Sequence, residues 1–160
     1  MFRFLTMGTA LAATDLALKN QIDRQDDREF PKELRGSKGM IWLYKSHNDG
    51  FSFGFLRGSK LVDLVPICLT SGLTGVWTYL MGKRGRWMEK LALTFVLAGG
   101  VSNLIDRLTK GYVIDYICVQ WKALKKVVFN LADVFILVGC GLLMIVNGLE
   151  VLRDLMKRKQ

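Results

Sequence analysis

Apolar residues fall into four segments that are separated by charged links. The second, third and fourth segments, at 61–81, 88–105 and 131–152, are each close to the roughly 20 residues that cross the hydrocarbon core of a bilayer. The first, at 4–18, is shorter and contains Asp15. The pattern predicts an all-α integral membrane protein, a single domain over 1–160, with four transmembrane helices at about 4–22, 61–81, 88–106 and 131–152.

The first segment also fits a secretory signal peptide, because Arg3 precedes the apolar stretch and small residues follow at Ala12 and Ala13. Against this alternative, the apolar run resumes after Asp15, and Lys19 follows four positions later. On a helix, Asp15 and Lys19 would share a face and pair. A charge within a spanning helix usually faces protein, so we predict that this pair supports the helix bundle and does no chemistry.

Lysine and arginine residues predict the orientation. They are dense in the short link 82–90 and in the tail 153–160, so both are expected to be cytoplasmic, and the links 23–60 and 107–130 to face outward. These flanking residues account for much of the net charge of +9. Because the chain lacks a basic stripe interleaved with aromatic residues, we expect no nucleic-acid partner.

The two outward links contain β-prone runs. Residues 40–44 and 112–119 are rich in aromatic and β-branched side chains. Phe51, Phe53 and Phe55 alternate with small residues at the two-residue period of a strand. We therefore expect a small extracytoplasmic β-sheet on the helix ends, while the charged stretch 23–39 is predicted to be mobile.

With this topology, polar residues from four distant parts of the chain meet at the outer membrane face: Asn48, Asn103, Arg107, Asp115, Asn130 and Asp133. Asp115 and Asp133 have apolar neighbours, where a lone carboxylate is costly unless it is paired or protonated. Two carboxyls that share a site raise one of the two pKa values, so one ionises while the other keeps its proton. Such a pair can hydrolyse a peptide, because the ionised group takes a proton from water and the protonated group polarises the carbonyl.

Each aspartate also has a purely structural interpretation. Asp133 suits the N-terminus of a helix, where a carboxylate complements the exposed amides and the dipole. Asp115 would pair with Arg107 or with a nearby lysine. Spacing alone leaves both interpretations open.

Four motifs resemble those of the signal peptidase II (lipoprotein signal peptidase) family, in the family's order. They are HNDGFSFG at 47–54, GGVSNLIDR at 99–107, GYVIDY at 111–116 and FNLAD at 129–133. Asp15 and Lys19 fit a weaker family element in the first helix. The last three motifs together are specific, whereas each alone would be weak.

The resemblance implies a bacterial aspartyl endopeptidase with four transmembrane helices in the cytoplasmic (inner) membrane. Both termini would be cytoplasmic and the active site extracytoplasmic. It would remove signal peptides from prolipoproteins that carry a diacylglyceryl-modified cysteine, as a monomer among membrane phospholipids and without a cofactor. The resemblance assigns catalysis to Asp115 and Asp133, substrate binding to Asn48, Gly50, Asn103, Arg107 and Asn130, and structural support to Asp15, Lys19 and Asp106.

The chain departs from the family pattern at three places. Phe51 and Ser52 replace the usual Ala-Ala pair, Ser102 replaces a glycine, and no Gln follows Asp15. None of these changes removes a catalytic group, but they put the substrate range in doubt.

The remaining polar features have alternatives. Lys122, Lys125 and Lys126 either contact anionic headgroups or, as their lack of pattern favours, form a solvated loop. His47 is the single histidine and is predicted to be a structural neighbour of the site rather than its pH sensor or a base for Cys118.

The three cysteines lack metal or disulfide spacing and are expected to be packing residues, and no zinc-type ligand set is present. Two other functions stay open beside the peptidase. One is a non-catalytic family member that binds lipidated peptides. The other is a small proton-coupled transporter, although its acidic groups would be expected nearer mid-membrane.

Overall fold

The computed structural model describes residues 2–50 and 59–157 and is mostly helical. Within these residues there are four α-helices: α1 (Phe2–Asp23), α2 (Leu61–Met81), α3 (Trp87–Lys110) and α4 (Leu131–Lys157). By length and composition, α2, α3 and α4 are able to cross a membrane. The helix α1 does not meet the same criterion, since Asp15 and Lys19 interrupt its apolar run. The predicted count of four spans is thus supported for three helices.

The helix α3 lies at the centre and packs against α1, α2 and α4. It runs four residues beyond the predicted 106 because a stop signal first occurs at Gly111, which adopts a left-handed φ of 82°. The N–H of Gly111 donates to the carbonyl of Arg107 at 2.9 Å and closes the last turn. The helix α4 likewise continues five residues past the predicted 152.

Two glycines allow α3 and α4 to approach closely. A Cβ atom on Gly99 would overlap the carbonyl oxygen of Ala132, and one on Gly139 would lie 2.5 Å from the carbonyl oxygen of Ala92. A side chain at either position would push the two helices apart, so the first turn of α4 is seated directly against α3.

A three-stranded antiparallel sheet caps one end of the helices, in the order β1 (Lys32–Glu33), β2 (Ile41–Asn48), β3 (Val113–Val119). The strands β2 and β3 arise from the two runs predicted to be β-prone. A small core of Ile22, Ile114 and Tyr116 joins the sheet to the end of α1. The alternating run 51–55, predicted to be a strand, lies outside the described residues.

The stretch 23–39, expected to be mobile, contains a 3₁₀ turn at Asp27–Glu29 and the strand β1. Lys32 pairs with Glu29 at 2.9 Å, and Lys45 of β2 pairs with Asp27 at 2.6 Å. Some of the charges of this link are therefore used in local ion pairs, which charge density alone does not reveal.

Candidate active site

The first turn of α4 carries Asp133 in a capping box. Asn130 is the residue before the helix, and its Oδ1 accepts from the N–H of Asp133 at 2.9 Å. In return, Oδ2 of Asp133 accepts from the N–H of Asn130 at 3.1 Å. The sequence motif Asn-x-x-Asp thus satisfies two backbone donors that a helix start leaves free. This geometry fixes the Asp133 carboxylate at the end of the helix.

The other carboxylate belongs to Asp115, in the middle of β3 and 6% exposed. Its Oδ2 accepts from the side-chain amide of Asn48 at 3.0 Å, and its Oδ1 accepts from that of Asn130 at 2.8 Å. Burial raises the pKa of Asp115 to about 6, and the charge of Asp133 adds to this rise against the opposing amide bonds.

Asn130 connects the two aspartates, because its side chain bonds Asp115 while its backbone and Oδ1 bond Asp133. Both carboxylates border one cavity of about 570 Å³. Asn48, Asn103 and Arg107 also line this cavity, which continues as an apolar cleft between α2, α3 and α4. Five of the predicted site residues therefore surround the same space, and Asn130 supports it from behind, fully buried.

Arg107 and Gly50 form a separate contact at the edge of the cavity. The Nη2 of Arg107 donates to the carbonyl oxygen of Gly50 at 2.5 Å. The charges of Asp115 and Asp133 both act on the guanidinium. Arg107 thus ties the chain after β2 to the end of α3 and places a positive charge beside the two carboxylates.

Behind the cavity, Lys19 is fully buried and connects three polar side chains. Its Nζ lies 2.8 Å from Asp15 and 3.2 Å from Asp106, and it donates to Oδ1 of Asn103 at 2.6 Å. The amide of Asn103 in turn donates to Asp133 at 2.9 Å. Lys19 is therefore connected to Asp133 by hydrogen bonds through one asparagine. Asp15 and Lys19 form the ion pair that their four-residue spacing predicted.

Asp15 also binds the N-terminus of α4. Its Oδ1 accepts from the N–H of Ala132 and from the hydroxyl of Tyr116, both at 3.1 Å. The same hydroxyl accepts from the N–H of Leu131 at 3.3 Å, and Ser102 donates to Oδ2 of Asp15 at 2.6 Å. The first helical donors of α4 are thus satisfied from α1 and β3, so both elements position Asp133.

Sequence reasoning missed Tyr116 and treated Ser102 only as a departure from the family pattern. The available signal was the position of each hydroxyl directly beside a predicted site residue, Asp115 or Asn103, within apolar sequence. Burial raises the pKa of the Tyr116 hydroxyl, so this group remains a proton donor at neutral pH.

His47 and Cys118 do not meet in the described part of the chain. The His47 ring lies 3.2 Å from Asp23 and stacks on Tyr112 at 4.2 Å between ring centroids. The Sγ of Cys118 instead contacts the carbonyl of Lys125 at 3.4 Å. His47 therefore braces the strand that carries Asn48, next to the site, and the thiol–base alternative is wrong.

Comparison with protein families gives one match over most of the chain. The model described as signal peptidase (SPase) II matches residues 7–148. This range contains both aspartates and every other residue of the site described above.

Curated relatives match part of the chain. A lipoprotein signal peptidase from Sinorhizobium fredii (strain NBRC 101917 / NGR234) is 37% identical over 102 residues, which are 64% of this chain and 61% of the relative. One from Brucella ovis is 32% identical over 106 residues, 66% of each chain. The matched region thus spans slightly less than two thirds of these relatives' length.

Two solved structures share the fold. A bacterial membrane enzyme determined by the in meso method at 2.3 Å resolution superposes with a TM-score of 0.80, covering 100% of this chain and 93% of its own, at 20% identity. A second, at 1.9 Å resolution, has a TM-score of 0.75 and covers 91% and 92%, also at 20% identity.

Proposed function

The chain belongs to the signal peptidase II family, and from this premise we propose that it is an aspartic endopeptidase that removes signal peptides from prolipoproteins with a lipid-modified cysteine. We assign catalysis to Asp115 and Asp133. Its family and its three apolar helices make it a bacterial membrane protein. The inner membrane, a monomeric state and an extracytoplasmic site are parts of the proposal.

The observation that carries the assignment is the bridge through Asn130. One buried asparagine bonds both carboxylates, and both border the same cavity. A merely structural Asp133 would need only its capping box, and a structural Asp115 would pair with a cation. In the described residues, Asp115 bonds two amides and no cation. Its burial therefore costs folding free energy that a structural role does not explain.

The chemistry follows from two coupled carboxyls. One ionised aspartate takes a proton from a water molecule in the cavity, and the resulting oxygen nucleophile attacks the scissile carbonyl. The protonated partner donates a hydrogen bond to the carbonyl oxygen as negative charge develops there. The aspartate that took the proton from water then gives it to the leaving amine nitrogen as the C–N bond breaks, which restores one ionised and one protonated carboxyl. The two groups titrate as a pair, so the apparent pKa values belong to the dyad and not to one residue.

The asparagines act as positioning groups in this scheme. Their amides hold the carboxylates: Asn48 holds Asp115, Asn103 holds Asp133 and Asn130 contacts both. Gly50 and Arg107 border the site and support the substrate backbone. The apolar cleft between α2, α3 and α4 fits the hydrophobic segment of a signal peptide, which reaches the dyad from within the bilayer.

Cleavage of a synthetic diacylated lipopeptide by the purified protein tests the proposal. Asp115→Asn and Asp133→Asn should each lower kcat by on the order of 10³-fold or more, because each removes one half of the acid–base pair. Asp154→Asn, an exposed acid near the other end of α4, is the matched control and should cleave normally.

The same assay separates the alternatives. Full activity in either dyad variant would refute the assignment. If the wild type binds the lipopeptide but does not cleave it, the result would favour a non-catalytic family member. If it neither binds nor cleaves the lipopeptide but conducts protons in liposomes, the result would favour the transporter.

A further inference from the structure

A short turn between β3 and α4 exposes apolar and basic side chains side by side. It consists of the 3₁₀ helix Lys122–Lys126 and its cap residue Trp121, and we call residues 121–126 the basic turn. Trp121 is 64% exposed and Leu124 is 43% exposed. Its three lysines are exposed as well. Exposed tryptophan beside exposed lysine is typical of the water-facing boundary of a membrane.

The turn is ordered by its own hydrogen bonds. The N–H of Leu124 donates to the carbonyl of Trp121 at 2.8 Å, and the N–H of Val127 donates to that of Leu124 at 3.0 Å. The bond from Leu124 to Trp121 closes a tight turn that brings these two apolar residues close to each other. Lys122, Lys125 and Lys126 are exposed on the same turn.

The basic turn lies close to the start of an apolar helix. Phe129 pairs with Ile117 across the loop and directly precedes Asn130, the cap of α4. The far end of the sheet reaches back to α1, because Ile41, which pairs with Val119, lines a second cavity together with Leu18. Leu18 lies one turn after Asp15, which contacts the first turn of α4. The sheet end that bears the turn is thus at the same end of the molecule as the first turn of α4, where that apolar helix begins.

The charge of the turn is not neutralised within the described residues. None of the ion pairs formed among residues 2–50 and 59–157 includes Lys122, Lys125 or Lys126. Three uncompensated cations next to a bilayer attract anionic headgroups.

We propose that the basic turn is an interfacial anchor that binds the headgroups of anionic phospholipids. Trp121 and Leu124 enter the interface while Lys122, Lys125 and Lys126 contact phosphates. The segment after the turn lines the active-site cavity through Val127, Val128 and Phe129. The anchor therefore holds the mouth of the cavity against the leaflet from which a lipidated substrate enters. This consequence rests on the proposed function, whereas the proposed contact with lipid does not rest on it.

Tryptophan quenching in nanodiscs tests the contact without using activity. The full chain and its Trp121→Phe variant are reconstituted in phosphatidylcholine or phosphatidylglycerol with brominated acyl chains, and the difference between their emissions isolates Trp121. We expect the Trp121 component to be quenched in phosphatidylglycerol by at least about twice as much as in phosphatidylcholine, since each lysine near an anionic surface strengthens association by about fivefold. High salt should reduce this difference.

Two triple variants supply the control. Lys122→Gln, Lys125→Gln and Lys126→Gln together should abolish the preference for phosphatidylglycerol. A second triple variant removes the same charge from exposed positions near the opposite helix ends and should keep the preference for phosphatidylglycerol. It combines Arg84→Gln, Arg153→Gln and Lys157→Gln. Equal quenching in both lipids, no quenching of Trp121, or a preference that survives the first triple variant would each overturn the proposal.

Cleavage in the same nanodiscs tests the consequence. The first triple variant should raise the apparent KM for the lipopeptide by about fivefold or more in phosphatidylglycerol and leave kcat unchanged. Loss of cleavage by the wild type with normal quenching would refute the proposed function and leave the anchor standing. An unchanged KM despite lost quenching would refute the link between the two.

Discussion

At the scale of single residues, the site keeps a buried carboxylate in place through neutral amides. Asp115 is held by Asn48 and Asn130, whose dipoles stabilise the ionised form less than a neighbouring cation would. The pKa of Asp115 therefore stays high, at about 6, because burial outweighs the amide bonds. A group that changes protonation near neutral pH is suited to proton transfer. Burial of its charged form, however, lowers the folding stability of the protein.

Because the buried Asp115 carboxylate lowers the folding stability, its substitution should raise the free energy of unfolding by an amount that depends on pH. Between the ordinary pKa of 3.8 and the folded-state value of about 6, the folded protein binds more protons than the unfolded chain, so the free energy of unfolding falls as pH rises through this window. The difference corresponds to about 3 kcal/mol. Asp115→Asn removes the titration and should stabilise the protein at pH 8 by up to about 3 kcal/mol, but not at pH 4.

Thermal unfolding in detergent micelles at the two pH values measures this effect. Asp154→Asn, which replaces an exposed acid, should show no such dependence. An equal gain from Asp115→Asn at both pH values would mean that packing and not ionisation is responsible.

At the scale of elements, the glycine contact between α3 and α4 sets the position of Asp133. Gly99 faces the carbonyl of Ala132, the residue directly before Asp133. The start of α4 is also held by Asp15 from α1 and by Tyr116 from β3. Three elements therefore fix the end of α4 that carries Asp133, and a change in the distance between α3 and α4 alters the position of Asp133 relative to Asp115.

Substitution of Gly99 by alanine tests this dependence. The added methyl group cannot fit beside the Ala132 carbonyl, so α4 must move and carry Asp133 with it. We expect kcat/KM to fall by on the order of 10- to 100-fold, as for a displacement of about 1 Å, while the protein still inserts. Gly141→Ala is the matched control, because a Cβ there meets no atom within 4 Å. Lipopeptide cleavage measures both, and equal activity of the two variants would contradict the argument.

At the scale of the whole molecule, the polar face of α1 is directed inward. Asp15 and Lys19 are both fully buried, against α3, β3 and α4. A helix of 22 residues is about 33 Å long, enough for a hydrocarbon core of about 30 Å. Burial of the charges against protein removes the main obstacle to insertion, and we propose that α1 is the fourth span.

Four spans place both termini on the same side of the membrane. Reporter fusions test this topology: fusions at the N-terminus and after Gln160 should both report the cytoplasm, and an insertion at Gly39, between α1 and α2, should report the opposite side. The dense basic link between α2 and α3 predicts this orientation, because lysine and arginine are concentrated in cytoplasmic links. Opposite locations for the N- and C-termini would exclude an even number of spans.

Local pattern was enough to determine much of this protein. Runs of about 20 apolar residues predicted α2, α3 and α4, and the β-branched and aromatic runs predicted β2 and β3, because length and side-chain type along the chain decide these elements. The motifs at 99–107, 111–116 and 129–133 indicated the family, and the match over 7–148 confirms it. The site residues remain predictions, each with a measurement that tests it.

Only the tertiary structure decided how these parts are joined. The strand β1 has two residues and no pattern of its own, so its existence depends on pairing with β2. Asn130 bridges the aspartates, and Tyr116 and Asp15 cap α4, through contacts between residues up to 117 positions apart. The basic turn brings Trp121 and Leu124 together only through the backbone hydrogen bond that closes it. Composition and periodicity describe neighbours along the chain, whereas these interactions depend on which surfaces folding brings together.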